Sequence, residues 1–271
     1  GIPRNVQTQV LASGLDFYPT ILSLVGVTPP PHKRFDGCDL APLLTTDPTD
    51  PALVKDTAGQ PRNTLFWHFP QMETTSSLRV GDHKLFRRYR PDGWTPALYR
   101  LTDSTSGQPQ RADIEEQHDL AAAYPQLKQS LDDRLTVLIE ASGGRRPYGN
   151  PWSKRSLPHQ DQAPTIPAHD RTGRGVRVRY RRNGADLAFA DIIYSPNKGR
   201  EWLRLPAEIK DETTVIAELP PDTTHYFINL IDTNNFLVID PPVDRQTLQK
   251  KGLGFADVSH QTGRKPAAAS R

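Results

Sequence analysis

Partway along the chain the hydrophobic pattern changes across a proline-rich stretch. Residues 145–170 hold five prolines, Pro147, Pro151, Pro158, Pro164 and Pro167, among polar residues with no hydrophobic period. Proline fixes φ and lacks an N–H donor, so this composition predicts a linker rather than a helix or a central strand. Before it, helical and strand periods both occur; after it, only strand periods do. Two folded regions are therefore expected, and 26 prolines in 271 residues exclude helical repeats and coiled coils.

In the first region, residues 13–26 place Phe17, Ile21, Leu24 and Val25 at helical spacing, which predicts one buried face. Asp16 stands where it caps such a helix, Pro19 falls in its first turn, and Gly26 ends it. Strand-like runs follow at residues 64–69, 77–80, 84–89 and 97–101, with Gly81-Asp82 as a hairpin turn between the second and third. Residues 125–141 predict an amphipathic helix with Leu127, Leu131, Leu135 and Leu138 on one side, ended by Gly143-Gly144. Antiparallel strands with helices on one face make this an α+β unit.

In the second region, residues 175–182 alternate strictly between polar and apolar. Residues 187–194, a stretch around Trp202, 213–219, 224–231 and 236–239 read as further strands, the last two joined by Asp232-Thr-Asn-Asn235. Short strands at this spacing predict a small β-sandwich. Residues 245–271 hold six Lys and Arg against one acidic residue, whereas residues 1–244 hold 28 against 30. The pI near 9.0 is thus a property of the tail, which is expected to be disordered, and no nucleic-acid partner is expected.

The longest apolar run, residues 21–27, falls far short of the roughly 18 residues of a membrane span. Met72 is the only methionine, so Gly1 is not expected to be a translated start, and the chain reads as a processed product or a piece of a longer protein. No Gly-x-Ser-x-Gly elbow, Walker loop, Gly-x-Gly-x-x-Gly or His-Glu-x-x-His occurs. The histidines (His32, His68, His83, His118, His159, His169, His225, His260) stand singly, so spacing predicts no metal site. Cys38 lies close to Asp36 and Asp39, which disfavour a thiolate, and an inert thiol is expected. In Trp67-His68-Phe69-Pro70, His68 faces opposite to the two aromatics; it is either a surface histidine at a strand end or a contact to bound substrate. Arg177, Arg179 and Arg181 share one strand face, either to grip anionic groups along a polyanion or to guard an exposed edge. Tyr194, Trp202 and Tyr226 are either sugar-stacking or core aromatics.

One ordered set of landmarks spans the first region. It comprises Leu15-Asp16-Phe-Tyr-Pro19-Thr20-Ile-Leu-Ser-Leu-Val-Gly26, Asp36-Gly37 with Leu40 and Pro42-Leu-Leu44, and Leu65-Phe-Trp-His-Phe-Pro70. Leu78-Arg79-Val-Gly81-Asp82-His-Lys84-Leu85, Leu98-Tyr99-Arg-Leu101 and Asp119-Leu-Ala121 complete it. In order and spacing it resembles the C-terminal part of the type I sulfatases. The resemblance implies an alkaline-phosphatase-like enzyme whose C-terminal subdomain is a four-stranded antiparallel sheet with a long helix. It implies hydrolysis of sulfate esters by a formylglycine made in a Cys/Ser-x-Pro-x-Arg motif, with calcium held by Asp and Asn side chains. Cys38 is followed by Asp-Leu-Ala-Pro, so no catalytic residue or calcium ligand is carried over, and those segments would lie upstream of Gly1. His68 matches a position near the mouth of the cleft, which implies a substrate-proximal role; Arg79 and Lys84 match a hairpin whose role is structural.

The expected organisation is an α+β sulfatase C-terminal subdomain over residues 1–150, a Pro-rich linker over 151–170, an accessory β-sandwich over 171–244 and a basic disordered tail over 245–271. Residues 171–244 resemble the accessory domains of some environmental bacterial sulfatases. The implied whole is a periplasmic or extracellular enzyme, calcium-dependent when complete, acting on sulfated carbohydrate or aryl sulfate. The alternatives are a noncatalytic polyanion- or carbohydrate-binding module using Arg177, Arg179 and Arg181, and a phosphoesterase of the same superfamily.

Overall fold

The computed structural model describes residues 4, 5, 8, 10–33, 35–47, 49–56, 58–71, 73–90, 93–105 and 110–263. The chain is α+β and divides into two compact units, Gly1–Pro147 and Tyr148–Arg271. No described helix is long and apolar enough to cross a membrane.

The first unit opens with helix α1 (Phe17–Leu24) and the short α2 (Ala41–Thr45). Four strands follow as an antiparallel meander: β1 (Thr64–Phe69), β2 (Thr75–Val80), β3 (His83–Arg90) and β4 (Gly93–Arg100). A two-stranded ribbon, β5 (Thr102–Asp103) with β6 (Gln110–Arg111), leads to helix α3 (Pro125–Ala141). The register sets Phe66, Leu78, Leu85 and Leu98 in one row across the sheet. That row packs against Leu131, Leu135 and Ile139 of α3, forming the core of this layer. Each fully buried aliphatic side chain contributes roughly 1.5–3 kcal/mol, so this row and α3 hold each other in place. Gly81, at φ +52°, makes the turn between β2 and β3, and Pro96 is tolerated because β4 is an edge strand.

Helix α1 departs from expectation. Phe17, Ile21, Leu24 and Val25 are exposed, Phe17 by 67% and Val25 by 64%. The helix turns a polar side inward instead: Thr20 is buried, and its hydroxyl accepts from Leu40 N–H at 2.9 Å and donates to the Asp16 carbonyl at 2.6 Å. Apolar periodicity marks a face suited to burial; it does not say what lies against that face.

The second unit contains β7 (Thr165–Thr172), β8 (Gly175–Arg181), β9 (Leu187–Ser195), β10 (Leu203–Pro206), β11 (Glu208–Asp211), β12 (Thr214–Glu218), β13 (His225–Asp232) and β14 (Leu237–Asp240). Helices α4 (Arg245–Lys251) and α5 (Phe255–Val258) and strand β15 (His260–Gln261) complete it. One sheet runs β10-β9-β13-β14, with β15 also on β13, and the other runs β11-β12-β8-β7. Val176, Val178 and Tyr180 of β8 meet Ile192 of β9 and Ile228 and Leu230 of β13 in one hydrophobic cluster fed by both sheets.

Two stretches are more ordered than their composition predicts. Within the proline-rich region, β7 pairs with β8 despite Pro167, because β7 is an edge strand and its register shifts between Thr165 and Ala168. Within the supposed tail, Asp244 caps α4 by accepting from Gln246 N–H at 3.1 Å, Lys250 and Lys251 occupy its last turn, and Gly252 closes it at φ +64°. Those cap signals outweigh the net charge. Residues 264–271 of the expected tail lie outside the described residues.

Candidate functional site

His68 lies on the side of β1 that faces α3, together with Phe66, while Trp67 and Phe69 point the other way. Its ring nitrogens both have protein partners. Nδ1 is 2.7 Å from Ser76 Oγ, and Nε2 is 2.9 Å from the Arg145 carbonyl beyond α3. Gly144 makes the second approach possible, since a Cβ there would stand 3.0 Å from Ile139 Cγ2 and 3.2 Å from His68 Cδ2.

The contacts continue inward as a buried network. Ser76 Oγ is 3.0 Å from Tyr89 Oη, and Arg87 NH1 donates to Tyr89 Oη at 3.4 Å. Arg87 is 2% exposed and donates from Nε and NH2 to Asp132 Oδ1 at 2.8 and 2.6 Å, and to Thr136 Oγ1 at 2.8 Å. Trp94 Nε1 donates to Asp132 Oδ2 at 3.1 Å, and the Arg87 guanidinium lies 4.6 Å over the Trp94 ring. A charge pair taken out of water holds only when such additional hydrogen bonds satisfy it. His68 is the outer end of this network.

Asp16 organises the N-terminal segment. It is fully buried, accepts from Arg62 NH1 at 2.5 Å and from Cys38 N–H at 2.8 Å through Oδ1, and from Ser13 N–H at 2.6 Å through Oδ2. Gly37 is required here because a Cβ would fall 2.1 Å from the Leu15 carbonyl oxygen. Burial pushes the Cys38 thiol up; Arg62 opposes this, and the acidic groups that add to it are Asp16 and Asp56 rather than the sequence neighbours Asp36 and Asp39. The Lys84 ammonium pairs with Glu116 at 2.5 Å, and Arg79 Nε donates to the Gly81 carbonyl at 3.3 Å, which fastens the hairpin.

In the second unit Arg177, Arg179 and Arg181 are exposed on one face of β8, opposite Val176, Val178 and Tyr180. Arg179 NH2 donates to Asp170 Oδ2 at 3.0 Å, and the same sheet face carries Glu208, Glu218 and Ile216 by register. Arg177 and Arg179 line a groove with His169 and Tyr226, whereas Arg181 lies beyond it. Of the three aromatics left open by the sequence, Tyr226 is buried in the core and Tyr194 packs against it. Trp202 leans on Phe227, with ring centroids 5.1 Å apart.

Two histidines that stand alone in the sequence converge. His260 Nε2 of β15 donates to Asp240 Oδ2 of β14 at 2.8 Å, and His169 Nδ1 of β7 lies 3.3 Å from the same oxygen. The two imidazole centroids are 4.2 Å apart, and Tyr226 Oη lies 3.3 Å from His169 Nε2. Burial alone would raise the Asp240 carboxyl; the two imidazoles outweigh it and hold it well below the usual carboxylate range. Burial pushes the Tyr226 hydroxyl up to about 12, with Arg171 opposing. Three different strands contribute, so no local spacing in the sequence signals the cluster.

Calcium takes six to eight oxygen ligands. Among the described residues the cluster with metal-ligand geometry is His169, Asp240 and His260, and two imidazoles with one carboxylate do not fit that ion.

No protein-family model matches the chain. Over 43 residues the chain is 42% identical to Arylsulfatase G of Mus musculus and, with the same figures, of Rattus norvegicus; the match covers 16% of this chain and 8% of each relative. Over 147 residues it is 29% identical to a protein named Sulfatase from Formosa agariphila, covering 50% of this chain and 23% of that relative. The chain spans less than a quarter of the length of these curated relatives. These partial similarities support a relationship to the sulfatases.

Proposed function

We propose that the chain is the C-terminal portion of a periplasmic or extracellular sulfatase that hydrolyses sulfate esters of carbohydrate or aryl type. The observation that carries this reading is the partial identity to sulfatases over half of the chain. Two features of the first unit support it. Cys38 is buried and lacks the Cys-x-Pro-x-Arg context of a formylglycine precursor, so the nucleophile must come from elsewhere in the protein. The exposed apolar side of α1 is the kind of surface that the rest of a larger enzyme covers. On this reading His68 borders the substrate cleft and, through Arg145, positions the chain after α3.

The test compares this 271-residue chain with the full-length protein from the same gene, both supplied with calcium and an aryl sulfate. Hydrolysis is expected from the full-length protein alone. Turnover by the short chain would overturn the portion reading, and a full-length protein that cleaves phosphate but not sulfate esters would make it a phosphoesterase of the same superfamily.

A second reading rests on the exposed arginine face of β8. Here the second unit retains sulfated polysaccharide through Arg177, Arg179 and Arg181, whose forked guanidinium groups match sulfate oxygens. Replacing all three with Ser is expected to abolish retention on heparin, and unchanged retention would remove this reading.

A further inference from the structure

We propose that His169, Asp240 and His260 form a binding site for zinc or a similar borderline divalent cation in the second unit, with a fourth coordination position open to the groove. The donor atoms His169 Nδ1, Asp240 Oδ2 and His260 Nε2 all lie within 4.8 Å of one another. Ligands held about 2.0–2.1 Å from a tetrahedral zinc stand roughly 3.3 Å apart. The His169–Asp240 separation is already 3.3 Å, and the 2.8 Å His260–Asp240 hydrogen bond has only to open modestly. Two imidazoles and one carboxylate form a set suited to zinc or iron rather than calcium or magnesium.

The surroundings suit the task. The His169, Asp240 and His260 side chains are 22–25% exposed, shielded enough to be held yet open to an entering ion. His169, Tyr226 and His260 stand in the wall of an open groove, so a fourth ligand from solvent has access. Tyr226 supplies the outer partner that metal-bound histidines usually have: its hydroxyl donates to Nε2 when Nδ1 carries the proton, and accepts from Nε2–H when Nδ1 holds a metal. Each imidazole must present an unprotonated nitrogen to the ion. Arg171 is the opposing charge nearby. Its NH2 is turned away, donating to the Thr262 carbonyl at 2.6 Å, and the Asp240 carboxylate offsets it. The proposal does not depend on what the first unit does.

The test uses the full 271-residue chain, stripped of metal and then equilibrated with zinc chloride or cobalt chloride. About one zinc per chain is expected after gel filtration, with an intense tetrahedral-type visible absorption for the cobalt form. His169→Gln with His260→Gln is expected to lose at least nine-tenths of the retained zinc, and Tyr226→Phe to weaken binding about tenfold. If the double variant does not fold, as judged by circular dichroism, the cobalt spectrum of the unaltered chain decides. A weak octahedral cobalt spectrum, no zinc retained by the unaltered chain, or equal zinc on a folded double variant would each leave a hydrogen-bonded latch and overturn the site.

Discussion

Arg87 and Asp132 show how much one buried pair carries. Asp132→Ala leaves a guanidinium that is 2% exposed without its counter-charge, which costs about 3–5 kcal/mol. The exposed Arg182–Asp186 pair is worth only about 0.2–1 kcal/mol. Urea titration of the two alanine variants is expected to separate them clearly, and a small effect at Asp132 would mean that the network around His68 contributes little. The alternation of β3 already hinted at this arrangement, because Arg87 falls on the same face as Leu85 and Tyr89. The partners were not legible: Asp132 lies 45 residues away, and the Arg145 carbonyl that holds His68 lies 77 residues away. The same limit hides His169, Asp240 and His260, whose proximity is created by strand pairing and not by spacing.

At the scale of elements, α3 and the first sheet follow from period and turn chemistry. Residues with the right spacing for a core found one, since the Leu131, Leu135 and Ile139 side meets the Leu78, Leu85 and Leu98 row. Leu135→Ala is accordingly expected to destabilise by about 2–5 kcal/mol. Helix α1 has an equally clear period, yet its apolar side is exposed. Phe17→Ser with Ile21→Ser is expected to lower binding of a hydrophobic dye and to reduce aggregation of this chain, with little change in thermal midpoint. Unchanged dye binding together with a lower midpoint would mean that those side chains are packed. Strand β7 and helix α4 escaped notice for the opposite reason: proline content and positive charge suggested a linker and a tail, although an edge strand accepts proline and the Asp244 and Gly252 caps were present.

For the molecule as a whole, net charge and the location of charge give different forecasts. Deleting residues 264–271 removes Arg264, Lys265 and Arg271, and with them all of the formal net charge of +3. If the β8 face carries polyanion binding, heparin retention in 0.15 M salt is expected to survive this deletion and to be lost on replacing Arg177, Arg179 and Arg181. The reverse result would assign retention to the tail. At that salt the Debye length is about 8 Å, so a local cluster outlasts a diffuse excess. The α+β class and a β-rich second unit were readable from the chain, because the change of period is a property of many residues at once.

The two kinds of sheet also differ in the order of their making. In the first unit β1, β2, β3 and β4 each pair with the next strand in sequence, so every rung closes as its partner leaves the ribosome. In the second, β9 pairs with β13 and β8 with β12, so one edge of β8 and one edge of β9 stay open until those later strands emerge. Pairings separated along the chain form more slowly and leave edges open to neighbouring chains in the meantime. The second unit is therefore expected to close its sheets more slowly than the first.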